Sequence, residues 1–245
     1  MIAIEFRLKI SSAYSIRVPY SYQCARTYPL PAPSTVKGLC ANALWQTEGG
    51  DPKKIMEEIH NASLGVVSRS EHSIAISSCT VRVIPMNALI RQFAFTPYID
   101  SMIVLKDDSL ANKIRGALKV APIYLGESES LVCIMPDSIN SDVQVKEINE
   151  GDIVNINSLF KFEFVKDKSL NERGVVLYMQ DDPCSDNVVL DRYIAPLKQQ
   201  GDSYRPIASF SFVSSKKGLV IGGKRLKGIF CEEQMEKPVK QKKKA

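Results

Sequence analysis

Residues 2–10, IAIEFRLKI, alternate apolar side chains with polar or charged ones. That two-residue period predicts a strand with one face in a core. The stretch YPLPAPSTVKGL at 28–39 behaves differently, with prolines at 29, 31 and 33. Each proline fixes its own φ and drives its predecessor toward extended geometry, so the stretch predicts a stiff strut that cannot enter the middle of a sheet. Ser34 is placed to cap a helix, and Val36, Leu39, Cys40, Ala43 and Leu44 recur on one face at helical spacing before Gly49–Gly50 ends it. Asp51–Pro52 opens a second, shorter helix to about Asn61. Residues 64–86 are rich in β-branched side chains and read as strands, as do 98–106 and 130–135. Between the last two, 109–120 is helical, with Leu110, Ile114, Ala117 and Leu118 on one side. The order strand, helix, strand, strand, helix, strand is the split βαβ pattern of a ferredoxin-like α+β domain, with both long helices expected on one face of the sheet.

Beyond it the chain is strand-rich, at 159–165, 174–180, 206–213 and 218–223. The expected organisation is a ferredoxin-like domain over 1–140, a β-rich region over 141–236 and a basic, disordered tail over 237–245. No internal repeat is visible.

Composition removes several function classes. Hydrophobic residues at 44% and charged residues at 24% are those of an ordinary globular protein, and 245 residues suffice for a sizeable core. The longest apolar runs, such as 101–105 and 129–135, are too short to span a bilayer. Glu5, Arg7 and Lys9 inside the first apolar run argue against a signal peptide, so a soluble cytoplasmic protein without membrane contact is expected. Six cysteines lie no closer than sixteen residues, which leaves no CxxC pair and favours buried, reduced thiols. No carboxylate cluster has metal-ligand spacing, and neither a Walker pattern nor GxGxxG occurs. No metal or cofactor is expected. The two histidines, His60 and His72, read as surface residues, so acid–base catalysis at neutral pH has few groups to use and no catalytic residue is assigned.

Charge adds a direction. Arg7, Lys9, Arg17, Arg26 and Lys37 stand in a stretch, 6–47, that contains no acid. A second acid-free stretch, 203–231, carries Arg205, Lys216, Lys217, Lys224, Arg225 and Lys227. If the fold brings the two together they form one positive face suited to a polyanion; a solvated surface of uneven charge is the plainer account. SSKKGLVIGGKRLKG at 214–228 fits a phosphate-binding loop and a basic hairpin with glycine turns equally well. Phe93 and Phe95 follow Arg91, an arrangement for stacking on bases or for filling a core. The strut from Tyr28 to Pro33 delivers a helix N-terminus, where Ser34, Thr35 and Lys37 sit with Arg17 and Arg26 upstream. Unpaired N–H groups there favour a phosphate.

The run SIRVPYSYQCARTYPLPAPSTVKGLCANAL at 15–44 resembles the N-terminal signature of the RAMP proteins in the CRISPR-associated family numbered five: an arginine-bearing strand-loop, a proline-rich turn, a helix start and a Lys-Gly pair. Residues 93–108 and 121–135 resemble its archaeal type I-A branch. The resemblance covers about the first 140 residues. It implies a ferredoxin-like fold and a place in a Cascade-type antiviral complex, as a non-catalytic subunit. That subunit grips the 5′ handle of the crRNA and caps the backbone filament. Its implied partners are the backbone, large and small subunits, with target DNA met indirectly. It also implies a thumb-like insertion near 85–97, which sets Arg91 and Phe93 beside RNA, and a glycine-rich loop near 216–228. The RNA-binding residues expected on this basis are Arg17, Arg26, Tyr28, Ser34, Thr35, Lys37, Arg91, Phe93, Lys216, Lys217, Lys224 and Arg225. One branch of the family cleaves precursor RNA with a tyrosine, a lysine and a histidine; no Lys-His neighbour pair exists here, and a metal-independent endoribonuclease is the alternative reading. A general RNA-binding protein outside CRISPR defence stays open as a third.

Overall fold

The structure is a computed structural model describing residues 1–21, 24–83, 87–126, 130–166 and 168–231, with side chains 81–83 and 87–89 also outside the description. The expected tail at 237–245 and the tip of the expected thumb at 85–86 lie outside the described residues. Strand β1 (Ile2–Ile10) buries Ile4, Phe6, Leu8 and Ile10 on one face, as the alternation requires. After β2 (Cys24–Ala25) comes helix α1 (Pro33–Glu48). Its N-cap is Ala32, without a side-chain cap, and Pro33 takes the first helical position, where a missing N–H costs nothing. The expected cap, Ser34, is therefore one residue inside the helix. Helix α2 (Pro52–Ala62) is capped by Asp51, which accepts from Lys53 N at 3.0 Å.

Strand β3 (Ser63–Arg69) leads into a long hairpin of β4 (Ile74–Val83) and β5 (Asn87–Phe95), then β6 (Tyr98–Leu105). Helix α3 (Asp108–Ala117) is capped by Asp107 and is shorter than the expected 109–120; β7 (Ile123–Tyr124) and β8 (Leu131–Ile134) follow. The remainder comprises β9 (Gln144–Ile148), β10 (Ile153–Ile156), β11 (Phe160–Lys161), β12 (Val175–Gln180), β13 (Leu190–Ala195), β14 (Leu197–Gln200), β15 (Ser203–Pro206), β16 (Phe210–Val213), β17 (Gly218–Gly222) and β18 (Lys227–Cys231). The apolar run expected as one strand at 159–165 is a two-residue strand followed by a 3-10 turn over 162–164.

The first sheet has the order β3-β6-β1-β8-β7, every neighbouring pair antiparallel. Helices α1 and α3 pack against each other and cover one face. The β17–β18 hairpin packs on the opposite face, with Leu219, Ile221, Leu226 and Phe230 against Ala3, Val67, Met102 and Val104. Between β3 and β6 the β4–β5 hairpin leaves this sheet altogether. It forms the centre of a second five-stranded sheet, β14-β15-β4-β5-β2. Leu159, Met179, Tyr193, Ala195 and Leu197 join the main core with residues of the first 140, so packing is continuous across the expected boundary. A smaller aromatic core, with Phe160 and Phe212 stacked at 5.0 Å, lies among β9, β10, β11, β13, β16, β17 and β18. Among the described residues no helix is long and apolar enough to cross a membrane.

Candidate nucleic-acid interface

The segment 14–28 doubles back on itself. Tyr14 N donates to Ala94 O and Ala94 N to Tyr14 O, both at 2.8 Å, which moors the segment to β5. Ile16 N donates to Thr27 Oγ1 at 2.9 Å, Tyr28 N to Ile16 O at 2.9 Å and Val18 N to Arg26 O at 2.9 Å. Apolar Tyr14, Ile16, Ala25 and Tyr28 go inward and leave Arg17 and Arg26 exposed. Strand β2 then runs parallel to β5, pairing Cys24 with Ile90 and Ala25 with Arg91. Arg26 follows Ala25 directly at the end of β2, and Arg17 bridges to Thr27, so Arg17 and Arg26 stand near the edge of the second sheet, next to the sequence-distant strand that carries Arg91.

The β4–β5 hairpin adds an aromatic face. Ala75, Ser77 and Cys79 stand opposite Phe95, Phe93 and Arg91, and paired residues point the same way. The Arg91 guanidinium lies over the Phe93 ring at 4.9 Å, and Phe95 is 47% exposed. Ala94 on the other face is buried. Exposed Lys198 and Arg205 pair across β14 and β15 in the same sheet. Burial raises the Tyr204 phenol, and the Arg26 charge draws it partly back. A basic strip with aromatic rings on an open sheet can bind a single-stranded polyanion through phosphate contact and stacking.

The strut is internal. Tyr28 through Pro33 are all buried, and the Tyr14 hydroxyl donates to Pro29 O at 2.6 Å. Tyr28 is fixed by donating its hydroxyl to Tyr178 O, and burial pushes its phenol up to about 12. Ser34 and Thr35 are half-buried in the first turn of α1. Lys37 departs from expectation: it is 2% exposed, and its ammonium donates to Asp181 Oδ1 at 2.8 Å and Asp181 O at 3.0 Å. The helical period turns this residue into the α1–α2 side, where an acidic loop neutralises it. Lys37 Nζ also lies 3.3 Å from His60 Nδ1, and His60 Nε2 is 3.4 Å from Asp182 Oδ1. The sequence has no neighbouring Lys-His pair, but the fold brings Lys37 and His60, 23 residues apart, into contact, and no sequence signal marks it. Burial, and then the Lys37 charge, lower the His60 imidazole. Burial opposes the Asp181 charge, yet Lys37 and Lys161 outweigh it and hold the carboxyl below the usual range.

The C-terminal candidates lie on a different sheet from Arg17, Arg26 and Arg91. Lys216 pairs with Glu163 at 2.8 Å and sits 4.6 Å from the Phe164 ring; Lys217 is exposed. The glycine-rich loop after β17 holds an anion, and that anion is the protein's own. Glu5, 0% exposed, accepts from Lys224 N at 2.9 Å, Arg225 N at 2.8 Å and Leu226 N at 2.7 Å. A Cβ on Gly223 would stand 2.8 Å from Glu5 Oε2, which is why glycine is needed there. Arg225 points inward: its Nη2 donates to Ser138 O at 2.6 Å, and its Nε lies 2.9 Å from Asp100 Oδ1 without hydrogen-bond alignment. Arg7 grips the same carboxylate through both oxygens, at 2.8 and 2.7 Å. The one acid of an otherwise basic N-terminal stretch was the available signal for this network. Lys224 keeps an exposed side chain while its backbone holds Glu5.

Residues 4–89 match the family described as "CRISPR-associated protein (Cas_Cas5)". That span takes in β1, the moored 14–28 segment and the strut. A CRISPR protein of Archaeoglobus fulgidus, known from its crystal structure, superposes with a TM-score of 0.60 at 14% identity, covering 94% of this chain and 99% of that one. The two share a fold along almost their whole lengths. A chain of a CRISPR RNA-guided surveillance complex superposes more loosely, with a TM-score of 0.44 at 13% identity over 82% of this chain and 91% of that one. No curated protein matches the sequence.

Proposed function

We propose that this chain is a non-catalytic, RNA-binding subunit of a type I-A CRISPR interference complex of the Cascade kind. It grips the 5′ handle of the crRNA and caps the backbone filament. The observation that carries the reading is the parallel pairing of β2 with β5, which brings the segment that carries exposed Arg17 and Arg26 next to the strand that carries Arg91 and Phe93. The family match over 4–89 and the shared fold of the archaeal CRISPR protein support it. On this reading the first unit is ferredoxin-like. Its antiparallel order, with two helices on one face, is the order expected of a split βαβ domain. On the same reading β5, which lies within 85–97, belongs to the thumb-like insertion. An archaeal, cytoplasmic setting and contacts to backbone, large and small subunits belong to the same proposal.

The second reading, a metal-independent endoribonuclease, is favoured by the Lys37–His60 contact, since a lowered imidazole beside an ammonium is a ready proton acceptor. Lys37 is buried against Asp181, however, and both His60 nitrogens already face partners. Labelled repeat RNA incubated with the pure protein in chelator tests both readings in one gel. A shifted, intact RNA is expected. Product bands that vanish in His60→Ala overturn the non-catalytic reading. Single-strand binding weakens with salt at a log–log slope of about −0.7 per phosphate neutralised, so Arg17→Ala/Arg26→Ala makes the slope shallower by about 1.4 if each holds one phosphate. The exposed pair Lys53 and Lys54, changed to alanine, leaves it unaltered.

A further inference from the structure

Helix α1 carries no charged side chain from Gly38 to Thr47. Leu39, Cys40, Ala43 and Leu44 account for part of that run, because they face the core. The outer side is uncharged as well, which an ordinary surface helix is not. There Gly38, Ala41, Asn42 and Trp45 recur at helical spacing and, with Pro52 and Met56 from α2, line an open groove of about 290 Å³. Trp45, the one tryptophan of the chain, is 43% exposed. The border of the groove is acidic. Glu48, Asp51, Glu57 and Glu58 are exposed on α1, α2 and their connection, against Lys53 and Lys54. Glu48 meets Lys113 at 3.2 Å. Asp182 adds a half-exposed carboxylate 3.4 Å from His60, one turn along α2 from Met56. A tryptophan-lined apolar groove with an acidic border fits a segment that carries a small apolar anchor among cations.

We propose that this groove is the docking site of the chain's own segment 232–245, with Pro238 and Val239 against the Trp45 ring and the flanking lysines toward the acidic border. The segment reads EEQMEKPVKQKKKA, with five lysines and no acid after Glu236. Proline has its φ fixed in advance, so holding it against an aromatic ring costs little conformational freedom. The path of the chain favours this occupant. Cys231, at the end of β18, lines a small cavity with Asp181, and Asp181 accepts at 2.8 Å from Lys37, the residue before Gly38. The segment therefore leaves the fold near the end of α1 at which the groove begins. Val239 is eight residues beyond Cys231, a reach of up to about 28 Å. Gly38 to Trp45 covers only about 11 Å of helix. A second copy of the chain is the poorer occupant, because six lining residues fall far short of the roughly 1,000 Å² that a specific interface buries. The contact stands independently of the RNA-binding reading.

Two measurements on the whole 245-residue chain test it, with Trp45 as the sole fluorescent tryptophan. In the first, acrylamide quenching is compared between wild type and Pro238→Ser/Val239→Ser. The double variant is expected to be quenched more steeply and to emit at longer wavelength, at an unchanged melting temperature. Added salt is expected to move the wild type the same way, because it screens the lysines from the acidic border. In the second, NMR of the isotope-labelled wild type is searched for Overhauser contacts between the Val239 methyl groups and the Trp45 indole protons, and such contacts are expected. Equal quenching of the two proteins at low salt, with no such contact, overturns the docking. Quenching that weakens with rising protein concentration, alike in wild type and variant, assigns the groove to a second copy and overturns it too.

Discussion

Lys37 and Asp181, 144 residues apart, form a buried ion pair at 2.8 Å that fastens helix α1 to the acidic loop after β12. Removing one partner of a buried pair costs about 3–5 kcal/mol, because the other charge is left in a poor solvent. Lys161, 3.7 Å from Asp181, shares the load. Lys37→Met is therefore expected to lower stability in urea by roughly 3 kcal/mol, the low end of that range, and Lys37→Met/Asp181→Asn by less. RNA affinity per folded molecule is expected to stay unchanged. A neutral Lys37→Met would show that the pair holds nothing.

His60 gives stability a pH dependence. Its folded imidazole is lowered by burial and by Lys37, so below the unfolded value of about 6.5 the unfolded chain binds a proton that the folded chain refuses. Stability is expected to fall as pH drops from about 6.5 toward the lower folded value. His60→Gln should flatten that interval of the curve. The Asp181 contribution is lost separately, at pH below the ordinary carboxylate value of about 3.9, because its folded value is depressed. Equal slopes near pH 6 for wild type and His60→Gln would remove His60 from this account.

The Glu5 nest is expected to be structural. Glu5→Ala strands three amides, that of Leu226 buried and those of Lys224 and Arg225 partly so; a buried amide left unpaired costs about 1–3 kcal/mol, and a partly buried one less. Gly223→Ala places a Cβ on the same carboxylate. Both variants should unfold at clearly lower denaturant than wild type, and Glu5→Ala should additionally raise hydrogen exchange at Lys224, Arg225 and Leu226. Protection unchanged at those three amides would contradict the nest.

Gly126 adopts φ +84°, and a Cβ there would meet Ser15 O at 2.2 Å. Strain of this kind costs about 1–3 kcal/mol from the backbone alone, before the clash is counted. Gly126→Ala should destabilise the fold and loosen the 14–28 segment, so that RNA affinity falls along with the melting temperature. A variant that melts like wild type would mean that the segment moves aside freely.

Some of this protein was written in its local pattern. The alternation of IAIEFRLKI specified β1 and its buried face, because strand period and core burial demand the same residues. Asp51–Pro52 marked the start of α2 for a similarly local reason. The prolines of the strut announced its stiffness and its delivery of α1, and basic Arg17 and Arg26 announced exposed charge. What local pattern does not carry is which distant group answers a polar side chain. A lysine in the first turn of a helix looks the same whether it faces solvent or Asp181, and a glycine-lysine loop looks the same whether its amides meet a phosphate or Glu5. Neither is there a local mark that the β4–β5 hairpin leaves the first sheet, since strand propensity does not name the partner strand. Sequence alone therefore determined the principal elements of the first 140 residues and the charges, while the many short strands of the remainder depended on pairing that local pattern does not carry. Tertiary structure decided which charges are consumed inside the fold and which remain outside, because a buried charge is stable only beside a partner that the chain's path brings to it.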